Sequence, residues 1–145
     1  MNKKMMTKVV CGALMATSLA SCATSKQSVT LADLQGEWDI IELQGHAVVP
    51  AQSQPFPYIG FGADGQVHGN AGCNRITGSV GPKAKPGTID LSQLGSTMMM
   101  CPNMEVEREV FAALASVTRY RYLSTNQMAL CGKGKKPIVV LQRRK

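Results

Sequence analysis

The chain is poor in the groups that enzymes use for covalent chemistry. Only two histidines, His46 and His68, occur in 145 residues, and neither sits in a recognisable nucleophile motif. Ser96-Thr97 has no paired His or Lys in a familiar pattern. The glycines between Gly60 and Gly72 fit no phosphate-cradling or dinucleotide spacing ahead of a helix. No Cys/His spacing resembles a zinc finger, and there is no repeat or low-complexity tract. Glu105, Glu107 and Glu109 stand at i,i+2 spacing, which diverges on a helix, so they read as helix N-terminal charges and not as a catalytic pair. These absences exclude the commonest routes to hydrolysis and phosphoryl transfer. The expectation is a non-enzymatic protein with no catalytic residues, no cofactor and no metal.

Acid is missing from the first 21 residues, where Lys3, Lys4 and Lys8 form a basic start. Val9 to Ala20 follows as an apolar run too short to span a bilayer comfortably. It ends Leu19-Ala20-Ser21-Cys22, which resembles the bacterial lipobox. Small side chains there let a peptidase reach the backbone, and the Cys22 thiol is the nucleophile that takes diacylglycerol. Residues 1–21 thus read as a lipoprotein signal peptide, and 22–30 as a lipidated N-terminus and tether. Ala23 follows the cysteine where an inner-membrane retention signal would place Asp. The expected location is the bacterial cell envelope, anchored in the outer membrane through Cys22 and facing the periplasm. Loss of the three lysines leaves 13 bases against 9 acids, +4 in place of +7. Six of those bases fall in the last 13 residues, a tail that reads as solvated or as a weak contact for anionic lipid. Nucleic acid is not an expected partner for an exported protein.

Of five cysteines, Cys11 lies in the signal and Cys22 carries lipid. Cys73, Cys101 and Cys131 remain in a compartment where disulfides persist, enough for one bridge with one thiol left over. Met98, Met99, Met100 and Met104 with these cysteines and His68 offer soft ligands suited to Cu(I). Consecutive residues on a strand face opposite ways, however, so the methionines cannot all converge.

The remaining length suits one compact domain, 31–145. Thr30 to Asp33 can cap a helical turn that Gly36 ends. Strands are expected at 37–43, 46–49, 58–61, 66–69, 76–80, 88–91, 96–101, 119–123, 128–131 and 138–141. Ala63-Asp64-Gly65 marks a hairpin turn. In the first strand Trp38 and Ile40 alternate on one phase, while Ile41 and Leu43 fall on the other, which calls for a bulge or two covered faces. Val106, Val110, Ala113, Leu114 and Val117 recur at helical spacing, with Asn103 as the expected N-cap. Short strands, Gly-rich turns and one helix predict a mainly β, α+β domain: an antiparallel sandwich or barrel.

An early Gly36-x-Trp38, then Gly69-x-x-Gly72-Cys73-Asn74, then Thr97-Met98-x-x-Cys101, then Glu107, Phe111 and Leu114 on a helix resemble the META domain, or HslJ-like, family. The resemblance runs from about Leu31 to Leu141. It implies a small incomplete ("cracked") antiparallel β-barrel with one helix packed on it. It also implies an envelope lipoprotein, some relatives being tied to heat or antibiotic stress and others to secretion or motility. It supplies no activity and no catalytic residue. Cys73 and Cys101 are expected to form a disulfide that staples the middle of the domain, the alternative being two buried thiols. Asn70, Asn74, Arg75, Arg119 and Arg121 are the candidate binding face, for a partner protein of the envelope. The other reading is a binder or chaperone of an apolar ligand, such as a lipid or acyl tail, or a secretion component. Its cavity would be lined by Trp38, Phe61, Phe111 and Met128 under a helical lid. A monomer is expected.

Overall fold

The computed structural model describes residues 30–81 and 85–145. The signal segment, Cys11 and Cys22 lie outside the described residues. The elements are α1 (Leu31–Leu34), β1 (Gly36–Leu43), β2 (His46–Ala47), β3 (Tyr58–Phe61), β4 (Gln66–Asn70), β5 (Arg75–Ser79) and β6 (Gly95–Ser96), then α2 (Glu105–Ala115), β7 (Arg119–Ser124), β8 (Gln127–Cys131) and β9 (Pro137–Arg143). The strands form a single antiparallel sheet in the order β6-β5-β4-β3-β1-β9-β8-β7, with β2 paired to β1.

The sheet is not closed by a ladder between β6 and β7. The chain between Gly87 and Ser96 runs across that opening instead. Thr88 bridges to Arg119, the Ile89 N–H donates to the Thr118 carbonyl at 3.1 Å, and at the other end Ser96 pairs with Ile76 of β5. Ile89 and Leu91 are buried beneath this strap. The sequence predicts strands over 88–91 and 96–101. One bridge and a two-residue strand stand in their place, because these side chains serve to plug a gap and have no full-length neighbour to pair with.

The phase break in β1 is real. Trp38 and Ile40 are buried, then Leu43, and the pairing with β9 shifts between Ile40 and Glu42, so a bulge turns the strand by one residue. Trp38 sits at the centre of a contiguous core that includes Ile59, Met128, Leu130, Val139 and Leu141. Its indole N–H donates to the Leu34 carbonyl at 2.7 Å, so the buried donor is satisfied. Helix α2 lays Val110, Ala113 and Leu114 into this core. Its N-cap is Met104; Asn103, expected there, instead accepts from the Glu105 N–H at 2.9 Å, one residue earlier.

Part of the basic tail belongs to the fold. The Arg143 guanidinium stacks 4.2 Å from the Trp38 ring centre and donates to the carbonyls of Gln35 and Asp33 at the end of α1. Arg144 stacks 4.2 Å from the Tyr58 ring centre and pairs with Glu37 and Asp39. These contacts fasten β9 to β1 and β3 and remove two charges from any free tail.

The first turn carries a pH-dependent link. Asp33 accepts from the Thr30 N–H at 2.6 Å and from the Tyr122 hydroxyl at 2.7 Å, and the backbone bond first, then the phenol, lowers its pKa below the ordinary 3.8. A depressed carboxyl contributes stability above its unfolded pKa and loses it as pH falls through the folded value. Asp33→Asn is therefore expected to lower the melting temperature by a few degrees at neutral pH, with the gap from the native protein narrowing below pH 3.8. Thermal melts across that range measure it, and a gap independent of pH would contradict the assignment.

Candidate functional site

The Gly-Cys-Asn turn between β4 and β5 is built from local backbone demands. Gly69 lies so close to β3 that a Cβ there would fall 2.3 Å from the Tyr58 carbonyl oxygen. The Asn70 carboxamide oxygen accepts from the Gly72 N–H at 2.7 Å, and Gly72 takes φ +124°, which disfavours a side chain. This places Cys73 and Asn74 pointing inwards.

Asn74 is the hub of the turn. At 1% exposure its backbone N–H donates to Glu107 Oε2 at 2.6 Å, and its Nδ2 donates to Glu107 Oε1 at 2.9 Å and to the Met99 carbonyl at 3.0 Å. Its Oδ1 accepts from the Thr97 hydroxyl and from the Met99 N–H, both at 2.7 Å. The side-chain amide thereby fills both donor and both acceptor places. Thr97 also accepts from the Arg75 N–H at 3.0 Å. Glu107, 6% exposed, sits at the third position of α2, where the helix dipole and the two Asn74 donors offset the cost of burying a carboxylate. The disulfide joins Cys73 to Cys101 with the Cα atoms 6.1 Å apart, and Cys131 is the buried free thiol.

Together these bonds pin the backbone of 97–101 to the barrel wall and leave its side chains outside. Met98 is 94% exposed, Met100 92% and Met99 54%. This segment is predicted as a strand by its apolar run. The run instead marks a clamped loop: both backbone groups of Met99 bond to the Asn74 amide, and the Thr97 N–H donates to the Arg75 carbonyl at 3.3 Å.

The candidate binding residues divide. Asn74 is not part of a binding face: it is buried, and its polar capacity is used internally. Asn70 and Arg75 are cross-strand partners, and with Tyr58, His68, Thr77 and Thr97 they line a groove of about 610 Å³ on the outside of β3, β4 and β5. Arg119 and Arg121 line a separate groove of about 320 Å³ beside Cys131 and Lys135. Arg119 is tied to the turn after β8, donating to the carbonyls of Gly132, Lys133 and Gly134. Trp38, Phe61 and Met128 are packed into the core with Phe111 against it, and none of them lines either groove.

Sequence reasoning missed Glu107 as a buried clamp. The signal was present, since Glu107, Val110 and Leu114 fall on one helical face, and an acid on an apolar stripe needs a partner. Among the described residues no three His, Cys, Asp or Glu side chains gather as a metal site, and two sulfurs of the copper reading are bonded to each other. Among the same residues no helix is long and apolar enough to cross a membrane.

Comparison with known proteins agrees with this architecture. A META domain family model matches residues 29–145. One NMR structure of a protein shares 24% identity at TM-score 0.59, covering 79% of this chain and 94% of its own. An NMR structure of a protein from Burkholderia xenovorans shares 22% identity at TM-score 0.59, covering 90% and 99%. The crystal structure of a DUF4847 family protein from Bacteroides vulgatus shares 19% identity at TM-score 0.52, covering 77% and 94%. At these identities the likeness is one of fold. No curated protein matches the chain.

Proposed function

The chain belongs to the META domain family, and from that premise we propose that it is a lipid-anchored, non-enzymatic module of the bacterial cell envelope that docks a partner protein. Cys22 carries the anchor, and the domain faces the periplasm from the outer membrane, with a part in the response to envelope stress. The observation that carries the docking reading is the loop 97–100. Its backbone is held by a disulfide and a fully bonded asparagine, yet its methionines are bare. A contiguous, rigidly held apolar patch is the form a protein contact surface takes, and methionine adapts well to a partner's shape. Asn70 and Arg75 border it through Thr97, which shares their groove.

The alternative, an apolar ligand held in an incomplete barrel, draws support from the open strand path. It has less to stand on, because the four side chains that would line the cavity belong to or pack against a filled core.

Two measurements test the proposal. Cys22→Ala should move the protein from the membrane to the soluble fraction of cells; retention would remove the anchor. A photo-crosslinking residue at Met100 should give a discrete adduct with an envelope protein in living cells, and the same residue at exposed Gln66 should not. Equal adducts at both sites, or none at Met100, would remove the docking surface. Native mass spectrometry that found a co-purifying lipid would move the balance to the ligand reading.

A further inference from the structure

We propose that Met98, Met99 and Met100 form a site of reversible oxidation by hypohalous acids. Three thioethers stand next to one another on a loop whose backbone cannot withdraw them. The Met99 N–H and carbonyl are both held by the Asn74 side chain, and Cys101 fixes the far end through its bond to Cys73. Met98 and Met100 are almost fully exposed and Met99 about half exposed. Their sulfurs are open to an oxidant in solution. Met128, by contrast, is fully enclosed in the core, and Met104 is half-buried at the start of α2.

The chemistry balances without a cofactor. The thioether sulfur attacks the chlorine of hypochlorous acid, and water then displaces chloride from the sulfonium. The net change is one sulfur–oxygen bond formed, the sulfur oxidised by two electrons, the chlorine reduced to chloride and one proton released. The product is a sulfoxide, polar and chiral, which methionine sulfoxide reductases return to the thioether. The disulfide partners are already oxidised and Cys131 is buried, so the described residues offer no competing exposed thiol. The clamp bonds to Met99 involve backbone atoms only, so oxidation changes the surface and leaves the fold in place. The inference goes beyond the docking reading and does not depend on it: the site is defined by sulfur accessibility alone.

The test uses the folded, disulfide-intact domain and limiting hypochlorous acid, one equivalent at a time, with peptide mass spectrometry. Met98 and Met100 should take up oxygen roughly tenfold faster than Met128, with Met99 next. The oxidised sites lie in the tryptic peptide ending at Arg108, and Met128 in the one ending at Lys133. Circular dichroism should be unchanged, and methionine sulfoxide reductases of both epimer specificities should remove the oxygen. The variant carrying Met98→Leu, Met99→Leu and Met100→Leu, which keeps side-chain volume, should take up no oxygen at low dose. Oxygen at Met104 or Met128 as early as at Met98, unfolding on oxidation, or sulfoxide that the reductases cannot remove would each overturn the proposal. Loss of the Met100 crosslink with intact oxidation would count only against the docking reading.

Discussion

Asn74→Ala is expected to destabilise the domain by roughly 3–5 kcal/mol, because it breaks a buried pair and orphans its partners together. Glu107 Oε1 and the Met99 carbonyl lose a donor, while the Thr97 hydroxyl and the Met99 N–H lose their acceptor. Urea denaturation at neutral pH measures the loss, and a cost under about 1 kcal/mol would mean that water replaces the amide and the clamp is not structural. Asn74→Asp separates the contributions. It sets a second carboxylate against Glu107, which raises the folded pKa of the pair above the unfolded values. A raised carboxyl stabilises only when protonated, so this variant should recover stability as pH falls from neutral through the raised value. The alanine variant should show no such recovery.

Removal of the disulfide, by Cys73→Ala with Cys101→Ala, is expected to cost about 3–4 kcal/mol through the freedom returned to the unfolded chain. The closed segment spans a sequence separation of 28. The bridge and the Asn74 amide hold the same five residues. The triple variant should therefore lose less than the sum of the separate losses, by about 1 kcal/mol or more. Strict additivity would show that the two devices act on separate parts of the molecule. Reducing agent should reproduce the double-alanine effect in the native protein and do nothing to the variant.

Both predictions concern residues whose motif the sequence displays openly, but whose role it conceals. Alternation of apolar and polar residues located β1, β4 and β7, and helical spacing located α2, because those elements bury one face against a core. The break between Ile40 and Leu43 even announced the bulge. Where burial is not periodic, the reading failed. Met98 to Met100 has strand composition, but no strand lies alongside it, so it became a loop. Thr88 to Leu91 has the pattern of a strand and serves as a plug, since its pairing stops at the Thr88 bridge and one bond from the Ile89 N–H. Arg143 looked like a solvated tail residue, and its place over Trp38 depends on a pairing between chain segments about a hundred residues apart. The site divided along the same line. The glycines and Asn70 act through bonds to nearby residues and could be read in sequence. Asn74 is spent on residues more than twenty positions away, and no local pattern reports that its amide is occupied.

The pairing of β1 with β9 sets the order in which the molecule can be finished. The strand at the heart of the sheet emerges first, yet one of its two long neighbours is made last. Until Pro137–Arg143 arrives, Trp38 has no cation above it and Ile40 faces an open flank. Such distant pairing makes folding slow to begin. A chain of this design stays loose while its last strand is still missing and locks only once that strand is in place.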